Sequence, residues 1–135
     1  MKTIISAIAL FITFTSMAQT APSAVANSFA KRFPNTTVKK WDKEGEKWEA
    51  NFMKEGKTMS ATFTSNGTWE ETETDIKISE LPSAVADYIK TNYKGATIKE
   101  AAVIERGNGK MYEAEVKGKD VLFDTNGKFL KEEKD

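Results

Sequence analysis

The chain has 135 residues, with 20 basic and 20 acidic side chains, no histidine and no cysteine. That length suits one compact domain or two very small ones, and balanced charge offers no single-sign field for nucleic acid or anionic lipid. The missing His and Cys exclude Ser-His-Asp and Cys-His nucleophilic sites, thiolate or imidazole zinc sites, conventional haem ligation, iron–sulfur clusters and disulfides.

The chain opens on Met1-Lys2-Thr3, a charged start, and continues into the short apolar run Ile4 to Ile12. Ser16-Met17-Ala18 before Gln19 then fits the small-x-small rule for signal peptidase. Residues 1–18 read as a signal peptide and Gln19 as the mature N-terminus. The run is shorter than the roughly 20 residues a spanning helix needs. No cysteine follows it for lipid attachment, and no later segment is apolar enough to span. The expectation is a periplasmic or secreted chain, with no membrane insertion after signal cleavage.

Pro22-Ser23-Ala24-Val25-Ala26 recurs as Pro82-Ser83-Ala84-Val85-Ala86, and seven of the twenty positions 22–41 are identical to their counterparts in 82–101. Further on, Trp48-Glu49-Ala50 answers Tyr112-Glu113-Ala114, and Ser65-Asn66-Gly67 answers Thr125-Asn126-Gly127. The sequence therefore divides into a first repeat at 19–75 and a second at 76–135.

Each repeat opens with a helix pattern, because Val25, Phe29 and Phe33 stand at i, i+4 and i+8, as do Val85, Ile89 and Tyr93. Pro22 and Pro82 suit a first turn, while Pro34 and Gly95 mark the ends. The period then falls to two. Trp48, Ala50 and Phe52 alternate with polar residues, as do Met59, Ala61 and Phe63; Tyr112, Ala114 and Val116 do the same, and Val121 and Phe123 follow. Asn66-Gly67, Asn108-Gly109 and Asn126-Gly127 mark hairpins or tight turns. The predicted fold class is α+β, a tandem repeat of a helix followed by three or four antiparallel strands, with the helices covering one sheet face. The acidic run Glu70 to Asp75 reads as a solvated edge or a linker into the second repeat.

The pattern Leu81-Pro82-x-x-Val85-x-x-Tyr88-Ile89-x-x-x-Tyr93-x-Gly95-x-x-Ile98, with the short strands after it, resembles the PepSY-like family of small exported bacterial proteins. That family is also described as β-lactamase-inhibitor-like. The resemblance covers nearly all of the mature chain, although Pro34-Asn35 replaces the Gly-bearing turn in the first copy. It implies an extracytoplasmic, non-enzymatic binding or inhibitory module, with no catalytic residue to carry over.

Gly107-Asn108-Gly109 has strand patterns on both sides, so it reads as a hairpin turn and not a phosphate loop. Asp124-x-Asn126-Gly127 lacks the later calcium ligands, since Lys128 and Phe129 stand where a ligand and a glycine belong. Paired-carboxylate catalysis needs an acid raised by burial, and every strand acid falls at a polar alternate position that predicts exposure. No enzyme, cofactor or metal site is expected. The expected function is a binding module holding an unidentified extracytoplasmic protein on its open sheet face. Candidate contacts there are Trp41, Met53, Thr58, Thr62, Glu113 and Leu122, with apolar groups anchoring a polar surface. A small-ligand or cation carrier or sensor in the cell envelope is the alternative. The sequence leaves the oligomeric state open.

Overall fold

A computed structural model describes residues 19–134. The signal-peptide reading falls on residues 1–18 and so lies outside the described residues. Helix α1 (Ser23–Arg32) leads into strands β1 (Val38–Glu44), β2 (Lys47–Lys54), β3 (Lys57–Thr64) and β4 (Trp69–Ile76). A single 3₁₀ turn at Ile78–Glu80 precedes helix α2 (Ser83–Asn92) and strands β5 (Glu100–Arg106), β6 (Gly109–Val116), β7 (Lys119–Phe123) and β8 (Phe129–Lys134).

The expected tandem helix–strand architecture is overturned. All eight strands join one antiparallel sheet in the order β1 to β8, and the only α-helices among the described residues are two of ten residues each. The protein is mostly β. At about 1.5 Å per residue such helices run only about 15 Å, while eight strands about 4.8 Å apart span more than twice that width. They therefore cap parts of one face and do not cover the sheet.

Strand β4 is what joins the sheet. The run Glu70 to Asp75, expected as a linker or solvated edge, pairs with β3 on one side (Thr62 with Glu71, Ser60 with Glu73) and β5 on the other (Glu73 with Ile104, Asp75 with Ala102). Alternating Thr and Glu suit a strand by spacing, and a central place in the sheet satisfies backbone groups on both of its edges.

Two clusters lie beneath the helices. Val25, Phe29 and Phe33 pack on Trp48, Ala50, Phe52, Ala61 and Phe63, with Phe29 and Phe52 rings edge-on at 5.0 Å. Val85 and Ile89 pack on Ala114, Val116, Val121 and Phe123. The predicted helix stripes and strand alternates account for both. Between the helices, Arg32 at the end of α1 lays its guanidinium 3.4 Å from the centre of the Trp69 ring. Trp69 Nε1 in turn donates to the buried hydroxyl of Thr72 at 2.9 Å.

The turns after β3 and β7 abut the helix starts. Gly67 has φ +90°, and a Cβ there would stand 2.6 Å from the Ala24 carbonyl oxygen. Only glycine meets both the backbone angle and that close approach.

Candidate functional site

Register assigns every strand side chain to a face. On the side away from the helices, β2 presents Glu49, Asn51 and Met53, which pair with Thr62, Ser60 and Thr58 of β3. Met53 is 45% exposed and Thr58 is also exposed, whereas Thr62 is half-buried. These three candidate residues are thus brought together, as one cross-strand pair and a neighbour two steps along. Asn51 Nδ2 donates to Asp42 Oδ2 of β1 at 2.9 Å, and Lys40 pairs with the same Asp42. This half of the face is polar, and neither α1 nor α2 packs on it.

Trp41 is not on this face. A register shift between Val38 and Lys40 sets Trp41 opposite Ala50, on the helix side. There it packs edge-on against Phe29 at 5.8 Å, half-buried at the margin of the first core cluster. In a regular strand Trp41, three residues after Val38, would face the opposite side; the bulge between Val38 and Lys40 returns it to the side of Val38.

Leu122 does lie away from the helices, paired with Glu113 of β6, but it is fully buried. With Ala102, Ile104 and Met111 it forms a third apolar cluster, which contains no helix residue. Arg106 of β5 donates to Glu71 of β4 through Nε, and its Nη2 lies 3.4 Å from Glu133 Oε2 of β8. The Arg106–Glu133 contact spans β6 and β7 on this face, so Leu122 lies on the floor of a trough and is not an exposed anchor.

The expected exposure of all strand acids also fails here. Glu113 is half-buried between the buried side chains of Ala102 and Leu122. Burial, then the charges of Glu73 and Asp120, push its carboxyl up to about 8. Glu73, opposite buried Ile104, is pushed up to about 7 by burial and by Asp75 and Glu71. Same-strand alternation could not show this, because the burying residues sit on neighbouring strands. The available signal was the apolar pair Ala102 and Ile104, out of phase with Val103 on the helix side.

Other surface features offer little enclosure. One groove, at the β1–β2 and β3–β4 turns, is open and polar, lined by Lys43, Lys47, Thr64 and Ser65 among others. Among the described residues no group of three or more His, Cys, Asp or Glu is arranged to hold a metal ion. None of their helices is long and apolar enough to cross a membrane.

The family described as "Putative beta-lactamase-inhibitor-like, PepSY-like" matches residues 15–57 and 46–131, and its description names no reaction. Among solved structures, the chain is similar to a BLIP-like protein from Bacteroides fragilis NCTC 9343, at 25% identity and a TM-score of 0.70, covering 86% of this chain and 87% of that one. A DUF2874 family protein from Bacteroides ovatus ATCC 8483 shares the fold at 21% identity and a TM-score of 0.73, over 86% and 89% of the two chains. So does one of the "putative periplasmic proteins" from Bacteroides eggerthii DSM 20697, at 18% identity and a TM-score of 0.72, over 86% and 90%. No curated protein matches the chain.

Proposed function

From the premise that this chain belongs to the PepSY-like, β-lactamase-inhibitor-like family, we propose that it is a non-enzymatic periplasmic module that holds a protein partner on the helix-free face of its sheet. The observation that carries this reading is the β1–β4 half of that face. It is a continuous, hydrogen-bonded surface bearing the exposed Met53 opposite Thr58, with Ser60 and Thr62 further along β3, and no helix of the described residues packs over it. A large flexible apolar side chain next to short hydroxyls matches the anatomy of a binding surface in which an apolar anchor stands among polar groups. Rigid strands hold these groups at fixed spacings, so the face would bind with little ordering cost. Action would be steric, by occupying the partner's surface, and the inhibitor-like description of the family is in keeping with such a role.

The test is affinity capture from envelope extract, with residues 19–135 as bait beside a Met53→Asp variant. A protein retained by the parent and lost from the variant is the expected result. A partner held equally by both baits would remove the β2–β3 face from the interface.

A further inference from the structure

The third apolar cluster poses a question that neither the helices nor the docking face answers: what keeps water from Ile104, Met111 and Leu122? Ile104 and Leu122 are wholly inaccessible and Met111 is 7% exposed, although all three stand on the side away from α1 and α2. Arg106 shares its strand and face with Ile104, two residues away, and Glu133 lies on β8 beyond β6 and β7. A side chain from Arg106 that reaches Glu133 must pass over the strands bearing Met111 and Leu122. Its other nitrogen is held by Glu71, so one guanidinium ties β4, β5 and β8 together.

We infer that Arg106, gripped by Glu71 and Glu133, is an ionic clasp that holds the β4–β8 half of the sheet coiled shut over the Ile104–Met111–Leu122 floor. The inference goes beyond the proposed docking face and bears on it only by stating how much of the helix-free side a partner can reach. The three charged side chains are about one-quarter to one-third exposed (27%, 27% and 34%), so ions in solution reach the clasp and compete for it. A two-armed guanidinium–carboxylate contact has directional strength that a single lysine lacks. Lys131 also holds Glu133, at 2.5 Å, which keeps that carboxyl below its ordinary value and ionised in mild acid.

Methionine oxidation reads the trough directly, because the protein carries its own reference. Met53 is exposed on the same side of the sheet, and Met111 is on the trough floor. The mature chain is treated with dilute hydrogen peroxide and each sulfoxide followed by mass spectrometry. In low salt Met111 should react about tenfold more slowly than Met53. In Arg106→Gln, Met111 should speed up about fivefold or more while Met53 stays within about twofold. Adding 1 M NaCl to the parent should accelerate Met111 in the same direction. Were Arg106→Gln to unfold, all methionines would react alike, and the salt series on the parent would decide. A Met111 rate unchanged by salt, or unchanged in a folded Arg106→Gln, overturns the clasp. Loss of capture by Met53→Asp alongside a flat Met111 rate would sink the clasp and leave the docking face standing.

Discussion

Arg106 Nη2 and Glu133 Oε2 lie 3.4 Å apart, although their strands are separated by β6 and β7. In a flat sheet the two would be remote. Glu133 pairs with Asp120, which pairs with Glu115 and then Glu100, six residues before Arg106 on β5. That is about 20 Å along the strand and about 14 Å across it. Their contact measures the coil of the sheet, whose right-handed twist brings diagonal corners together on the concave side. Both the buried cluster and the perturbed acids follow from that curvature.

Leu122→Ala should destabilise the fold by about 2–5 kcal/mol, the cost of emptying a buried leucine site. Chemical denaturation measures it. A loss under about 1 kcal/mol would show the trough floor to be solvated.

Trp41→Ala should cost about 2 kcal/mol or more of stability, because the indole is half-buried against Phe29. Met53→Ala, at an exposed position, should stay within about 0.5 kcal/mol of the parent. Equal losses at the two positions would contradict the assigned faces.

Stability should fall as pH rises from mildly acidic to alkaline. Glu73 and Glu113 have folded values near 7 and 8, above their ordinary 4.5, so the folded state binds protons more tightly than the unfolded one. Their favourable contribution is complete below the ordinary value and is lost as pH climbs through 7 and 8. Glu132 and Glu133 are lowered, the first chiefly by its bond from Tyr93 and the second by Lys131, so their contributions fade in stronger acid. Thermal melts should therefore peak in mild acid, and Glu113→Gln should raise the midpoint at pH 9 by about 3 °C or more. A flat profile between pH 6 and 9 would refute the burial of these acids.

Gly67→Ala and Gly45→Ala separate backbone strain from collision. Both glycines have positive φ, but a Cβ at Gly45 meets nothing within 4 Å, whereas one at Gly67 strikes the Ala24 carbonyl and the Ser28 hydroxyl. Gly45→Ala should cost about 1 kcal/mol, and Gly67→Ala clearly more, since α1 or the turn must shift. Equal costs would mean that the turn does not lean on the helix.

Local pattern was sufficient for the elements themselves. The stripes Val25–Phe29–Phe33 and Val85–Ile89, the strand alternates Trp48, Ala50, Phe52, Phe63 and Phe123, and the Asn-Gly turns are periodicities of the chain alone, and their burial follows from them. The family resemblance was legible for the same reason, being carried by residues close together in sequence. Tertiary structure decided what depends on pairing between strands. The run around Glu71 and Glu73 became a central strand because β5 returned to its free edge, which no property of that run foretells. One bulge moved Trp41 to the helix face, since a period of two turns a single-residue shift into a change of side. Leu122 and Glu113 were buried by a coil accumulated over several strands, whose contacts lie far apart in sequence and close together only once the whole sheet has formed.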